Sequence, residues 1–435
     1  MSARARPNFL FLLPDQHRAD WLGTTPGLPV RTPHLDALAE GGVRFTHAIT
    51  PSPLCAPARA CLASGQDYRN CGVPGNETDY PPDRPTYYAA LRGAGYRVAG
   101  VGKFDLHKKT LDWGRDGSRL LDTWGFTEGI DNEGKRDAIK SGAETPTGPY
   151  MAYLHARGLA AAHVDDFRRR RDYADTFPTP LPDDAYCDNW IAENGLRLLR
   201  NFPADQPWHL QVNFTGPHEP MDVTSAMRDR WRDAAFPPPH AGDGRDAEGH
   251  RDTRRNYAAM IENIDRHVVR FLDAVRARGE RDNTVVIYSS DHGEMLGDHD
   301  LWGKKTWHQP SIGVPLIVAG PGVRRGATSD ALAVLHDLAA TMLDYAGVAV
   351  PSTMDARSLR PVLEGTTASH RPFAVSALGN WRAIRDERHK LVVVADEPPR
   401  LFDLDADPWE DTDIAGAHPT IAARLRDALD AAFAA

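Results

Sequence analysis

Five short apolar runs punctuate the chain: Asn8–Leu13 (NFLFLL), Tyr96–Val101 (YRVAGV), His209–Phe214 (HLQVNF), Thr284–Ser289 (TVVIYS) and Pro315–Ala319 (PLIVA). Except in His209–Phe214, their apolar residues do not alternate strictly with polar ones. That pattern predicts strands buried on both faces, as in a parallel sheet covered by helices. Between them the period changes to that of a helix. Thr32–Gly42 (TPHLDALAEGG) has a threonine at the N-cap, proline at the first helical position and glycines after the end. Asn256–Gly279 carries Ile261, Ile264, Val268, Phe271, Leu272 and Val275 at helical spacing and stops at a glycine, and Asp330–Gly347 repeats the pattern. Strands alternating with helices predict an α/β fold with a largely parallel sheet.

Two stretches break this rhythm. Residues 131–182 are rich in charge, Gly, Pro and Ala, and read as an insertion of the kind that rims an active site. Their run Arg168–Arg171 reads as a solvated helix face. Phe236–Asp252 reads as an exposed loop. After Val350 short strands with polar turns precede a closing helix. The expected organisation is therefore a catalytic domain over 1–350 and a small antiparallel α+β subdomain over 351–435.

Composition narrows the class. The net charge is −9, with 41% hydrophobic and 26% charged residues. A nucleic-acid binder would carry a basic balance, so none is expected. No run approaches the apolar length of a membrane span, and Phe9–Leu13 is too short for a signal h-region and is followed by Asp15. These features predict a cytoplasmic protein that meets no membrane. The four cysteines, Cys55, Cys61, Cys71 and Cys187, lack the paired spacing of a zinc site. Three of them read as inert buried thiols. Cys55, followed by Pro57 and Arg59 at the start of a helical pattern, does not.

Chemistry gathers at the strand ends. Asp15 and Gln16 follow the first run; Lys103, Asp105 and His107 follow the second; His218 follows the third; Asp291 and His292 follow the fourth. Ligands of open parallel sheets bind beyond the carboxyl ends of the strands. Asp15, Gln16, Asp291 and His292 offer oxygen and nitrogen donors suited to a divalent cation, Ca²⁺ first, with Mn²⁺ or Mg²⁺ as alternatives. The plain alternatives are helix N-capping for the two aspartates and core packing for the histidines. Lys103 has no comparable plain role, because lysine is rarely buried unpaired.

The segment CAPAR at Cys55–Arg59, continuing ACLASGQ, resembles the signature of the sulfatase family. LPDQHRADWLG, GYRVAGVGK, GPHEP, YSSDHGEMLGDHDLWGK, RSLRPVLEG and LFDLDADPWEDTDIA are similar to that family's other blocks, in the same order, and cover nearly the whole chain. The resemblance implies an alkaline-phosphatase-like sandwich: a large, mostly parallel central sheet flanked by helices, with a small C-terminal antiparallel subdomain. It implies that formylglycine-generating machinery oxidises Cys55 to an aldehyde, present as its hydrate. One hydroxyl attacks the sulfur of a small anionic ester, and the second expels sulfate as the aldehyde re-forms. Arg59 would orient that group, and one divalent cation would be held by Asp15, Gln16, Asp291, His292 and the group derived from Cys55. Lys103, His218 and Lys304 would contact the sulfuryl group, with His218 or Lys304 protonating the leaving oxygen. Lys305 reads as a surface lysine.

This sequence departs from the family pattern at several places. Ala58 stands where serine is commoner. Asp15–Gln16 with Asp291–His292 looks more like the phosphonate monoester hydrolase and choline-sulfatase-like branches. Asp105 stands two residues after Lys103 where many members have histidine, so either His107 substitutes or the contact is missing and Asp105 pairs with Lys103 or a cationic group. His308 lines the pocket or is structural. Sulfate-ester hydrolysis is the leading expectation. A phosphonate monoester or phosphodiester hydrolase on the same site, and a non-catalytic binder, are the alternatives. A homo-oligomer stays open.

Overall fold

The computed structural model describes residues 6–173, 175–242 and 247–434. Residues 1–5 of the N-terminal reading and 243–246 of the expected loop lie outside the described residues. The main sheet is built from β1 (Asn8–Asp15), β2 (Val43–Phe45), β4 (Arg97–Gly102), β5 (Glu128–Asp131), β6 (Trp208–Pro217), β7 (Thr284–Ser289), β8 (Leu316–Ala319) and β9 (Ala327–Ser329). Its order is β5-β4-β6-β1-β7-β8-β2-β9, and a short parallel pair joins β3 (Ala48–Ile49) to β10 (Ala333–Val334).

Burial explains the apolar runs. Phe9, Phe11 and Leu13 of β1 enter one core cluster, Leu10 and Leu12 the other, and all five are fully buried. In β7, Val285 and Ile287 face the first cluster, Val286 and Tyr288 the second. Both faces of the sheet are thus covered, which is why polar residues are absent from these positions. Burying each such side chain is worth about 1.5–3 kcal/mol.

Three expectations are corrected in detail. The Pro315–Ala319 run does form a strand, but β8 lies antiparallel to both β7 and β2; a strand buried on both faces looks the same in either direction. The expected helix over Asp330–Gly347 forms only at Asp337–Tyr345, because Ala333 and Val334 pair with β3. The Asp337 carboxylate then accepts from Val334 N at 2.9 Å and ends the extended segment. In 131–182 three helices form, Arg136–Gly142, Pro149–Ala156 and Ala160–Arg169. Within that insertion Arg168, Arg169 and Arg171 are exposed as expected, but Arg170 is buried, with both Asp166 oxygens and the Phe177 ring as partners.

The C-terminal piece is an antiparallel sheet of β11 (Ala374–Leu378), β12 (Trp381–Arg385), β13 (His389–Val394) and β14 (Arg400–Asp403), backed by the Pro419–Ala434 helix. Leu378, Trp381, Val392 and Phe402 pack against Ile49, Leu54 and Ile312 of the main body. This contact braces the loop that leads into Cys55. Among the described residues no helix is long and apolar enough to cross a membrane.

Candidate active site

The carboxyl ends of β1, β4, β6 and β7 bring the candidate residues together. β1 pairs with β6 in register up to Leu13↔Asn213, then the register jumps to Asp15↔Pro217. Such an irregularity re-aims the side chains that follow it. Gln16 comes next with a left-handed φ of 69°, its N–H donating to Asp291 Oδ1 (3.0 Å) and its carbonyl accepting from Tyr257 OH (2.6 Å). At the end of β4 only glycine fits at 102: φ is +105° and a Cβ would lie 1.9 Å from the Asn213 carbonyl. That turn directs Lys103 inward.

The Cys55–Ser64 helix begins at the cysteine, after an extended Leu54 with no side-chain cap. Every residue of this helix is buried. Cys55 Sγ lies 3.3 Å from His292 Nε2 and 3.8 Å from Asp15 Oδ1. Arg59, one turn on, donates from Nε to Asp291 Oδ2 (2.9 Å), from Nη2 to Asp15 Oδ2 (3.2 Å) and from Nη1 to the Lys103 carbonyl. It ties three strand ends together. Lys103 pairs with Asp15 and, at 3.0 Å, with Asp105.

One ligand atom from each of Asp15, Cys55, Asp291 and His292 falls within 4.8 Å of the other three. His292 Nδ1 donates to the Gly293 carbonyl at 3.0 Å, which leaves the Nε2 lone pair facing the two carboxylates at 3.7 Å. Burial pushes the Asp15 carboxyl up, but Lys103, with His218, Arg59 and His292, outweighs it and holds Asp15 well below the usual carboxylate range. Burial pulls the His292 imidazole down, toward the neutral form that can ligate. Two carboxylates and a neutral imidazole suit a divalent cation, and the donor set therefore fits one. Gln16 lies at the same edge, but its Oε1 accepts from Lys304 and its Nε2 donates to Glu219 (3.0 Å) and Glu294.

His218 and Lys304 form a second group. His218 Nδ1 faces the Glu219 carbonyl at 2.6 Å and its carboxylate at 2.9 Å, so that nitrogen carries the hydrogen. Its Nε2 meets Lys304 Nζ at 2.5 Å. Burial lowers the His218 pKa and Lys304 adds to that, yet Glu219, Asp15 and Cys55 together outweigh them and the net direction is up. The Lys304 ammonium is likewise disfavoured by burial but held above its usual value by Cys55, Glu219 and Asp15.

A cavity of about 230 Å³ opens beside Cys55, Lys103, His218 and Lys304. His107, a candidate catalytic residue, and His308, read as either lining the pocket or structural, are not among its lining residues. His107 sits between Trp113 and Trp124 (ring centroids 5.4 and 5.5 Å apart), its Nε2 donating to the Asp112 carbonyl. His308 bonds Thr306 and stacks on His299. Asp105 pairs with Lys103, and Lys108 joins it at 2.8 Å while lining the cavity. Sequence reasoning missed Lys108, Lys135, Glu219 and Glu294. Glu219 was findable as an acid adjoining His218. Lys108 was hidden by its neighbour His107, which looked like the better match.

Known proteins share this architecture. A family model described as Sulfatase matches residues 7–348, and one described as N-sulphoglucosamine sulphohydrolase, C-terminal, matches 297–433. The chain is 29% identical to a choline-sulfatase of Rhizobium meliloti, over 94% of this chain and 82% of that protein. It is 25% identical to an arylsulfatase of Clostridium perfringens, over 94% and 90%. The solved phosphonate monoester hydrolase of Silicibacter pomeroyi superposes with a TM-score of 0.81 at 26% identity, over 97% of this chain and 94% of that one.

Proposed function

The chain belongs to the sulfatase family, and from that premise we propose that it hydrolyses sulfate monoesters with a formylglycine derived from Cys55 and one divalent cation. The observation that carries the reading is the convergence of Asp15, Cys55, Asp291 and His292 within 4.8 Å at the strand ends. Those four residues would hold the cation, with Gln16 beside them; Ca²⁺ suits the two carboxylates best and Mn²⁺ is the second choice. When bound, the cation would neutralise charge and lower the pKa of an oxygen on residue 55. Formylglycine would supply a hydrated aldehyde in place of the thiol. Because the whole Cys55–Ser64 helix is buried, conversion of Cys55 belongs to the chain before it folds.

The remaining residues act directly. Arg59 fixes both carboxylates through its guanidinium fork. Lys103 and Lys304 hold the anion and oppose charge that develops as the ester bond breaks. The Lys304–His218 pair supplies the proton to the departing oxygen, with Glu219 favouring the imidazolium.

Replacing Cys55 by alanine tests the reading. Cys55→Ala is expected to fold, yet to lose turnover of an aryl sulfate, and peptide mass spectrometry of active wild type is expected to find the aldehyde at residue 55. Wild-type rates in Cys55→Ala would overturn the mechanism. A phosphonate monoester or phosphodiester reading draws support from the Asp15–Gln16 and Asp291–His292 pairs and from the Silicibacter pomeroyi enzyme. Side-by-side kcat/KM values on an aryl sulfate and an aryl phosphonate, with residue 55 confirmed as aldehyde, separate the two.

A further inference from the structure

The cavity carries more positive charge than one reacting anion requires. Seven Lys or Arg line it against three Asp or Glu, in a chain whose net charge is −9. The three acids are already engaged. Glu219 faces His218 and Gln16, Glu133 accepts from Met151 N (2.8 Å) and Tyr150 N (3.3 Å), and Asp137 is shared by Lys108 (3.0 Å) and Lys140 (2.6 Å). Lys103 and Lys304 sit at the reacting group. Lys135 is buried, with Asp222 and two carbonyls as partners.

That accounting leaves the rim. Arg136 and Lys140 stand four residues apart on the Arg136–Gly142 helix and so share a face. Both are exposed, and among the described residues the Arg136 guanidinium has no partner. Lys305 comes from the loop between β7 and β8. Its φ of 78° is costly for a residue with a Cβ. Yet it is held there by its N–H to the Pro53 carbonyl (3.2 Å) and by Trp381 Nε1, which donates to its carbonyl (3.0 Å). Its ammonium also lacks a partner among the described residues while lining the cavity. Two separate elements thus present unpaired cations at one opening, and one of them does so in a conformation that the backbone must be forced into.

We propose that this rim is an anion subsite, and that the natural substrate is an ester whose alcohol portion carries its own negative charge, such as a carboxylate or a second sulfate. The inference rests on the sulfate-ester reading for the identity of the reacting group. The cavity, at about 230 Å³, is several times the roughly 30 Å³ of a water molecule and leaves room for a small alcohol beside the sulfuryl group. A cationic alcohol would meet the same rim unfavourably.

The test uses aryl sulfates bearing a neutral, a carboxylate or a trimethylammonium ring substituent, compared at a common leaving-group pKa. For wild type at low salt, kcat/KM is expected to be roughly tenfold or more higher for the carboxylate than for the neutral ester, and lowest for the ammonium ester. The spread narrows as salt rises. In Arg136→Gln combined with Lys305→Asn, asparagine being tolerated at positive φ, the carboxylate preference is expected to fall to within about threefold. Equal wild-type values for the neutral and carboxylate esters would overturn the subsite while leaving sulfate hydrolysis intact. Turnover of aryl phosphonates but no aryl sulfate would instead overturn the sulfate reading, and the same charge series on phosphonates would then decide the subsite.

Discussion

The floor of the cavity and its mouth are built on opposite principles. The floor residues Asp15, Cys55, Arg59, Asp291 and His292 are almost completely buried and each is held by strand ends or by the first turn of a buried helix. Every floor charge has a partner of opposite sign. The mouth residues Arg136, Lys140 and Lys305 are exposed and come from an inserted helix and a loop. A paired, dry floor can position a reaction to a fraction of an ångström. A solvent-exposed mouth, where Arg136 and Lys305 have no partner among the described residues and Lys140 has only Asp137, can only attract or repel. On the proposed reading, the floor would set the type of reaction and the mouth the choice of alcohol.

The largest expected effect breaks the floor. Asp291 is shared by Arg59 Nε, Gln16 N and the His292 Nε2 approach. Asp291→Asn removes a charge that both Arg59 and a bound cation require. It is expected to cost more than the ~10²–10³ that a single transition-state hydrogen bond is worth, and to lower bound metal measured by elemental analysis. Chelation of wild type is expected to abolish activity reversibly, whereas added metal is expected not to restore Asp291→Asn. Active protein free of metal would remove the cation from the scheme.

The same contrast decides how much was legible in the sequence. The strand ends were readable because Phe9–Leu13 and Val285–Tyr288 are apolar on both faces, and an unbroken apolar run followed by a polar residue marks where a buried strand surfaces. Asp15 and Asp291 were therefore findable without coordinates. The direction of β8 was not, because burial carries no sense of direction. Nor could spacing show that Lys108, rather than His107, reaches the cavity: Trp113 and Trp124 capture His107, and both lie in a segment with no strong period. The mouth was least legible. Arg136 and Lys305 look like surface residues by composition, and only the tertiary placement of the insertion against the β7–β8 loop brings them to one opening.

A smaller effect sharpens the boundary between positioning and proton transfer. Lys304 contacts His218, whereas the Lys103 ammonium pairs with the carboxylates of Asp15 and Asp105. Lys304→Ala is expected to lower kcat by about 10²–10³ for poor leaving groups and less for good ones. Lys103→Ala is expected to slow all esters by a similar factor. The measurement is kcat against leaving-group pKa for wild type and both variants. Parallel lines for Lys304→Ala and wild type would pass the acid role to His218 alone.

The smallest expected effect lies between floor and mouth, at Glu133. It lines the cavity, and burial pushes its carboxyl up to about 7, although the Met151, Glu133 and Tyr150 backbone N–H groups pull it down. Below that pH it is neutral and adds nothing to the cavity's field; above it, one negative charge is added to a cationic wall. The folded protein therefore favours the protonated form, so the stability associated with this group is fully present below the usual glutamate range and is lost as pH rises through about 7. Anion binding should follow the same sign. A unit charge on the order of 10 Å from a bound anion, at an effective dielectric near 40, costs it roughly 0.8 kcal/mol, about fourfold in affinity. Inhibition by inorganic sulfate, measured from pH 6 to pH 8, is therefore expected to weaken about threefold more in wild type than in Glu133→Gln, short of the full fourfold because a group titrating near 7 is not fully converted across that window. Taking the ratio of the two proteins cancels the other titrating groups. A ratio that stays flat across pH 7 would mean that Glu133 is either ionised throughout or electrically invisible to the anion, and the mouth would then be cationic at every pH rather than only more so in acid.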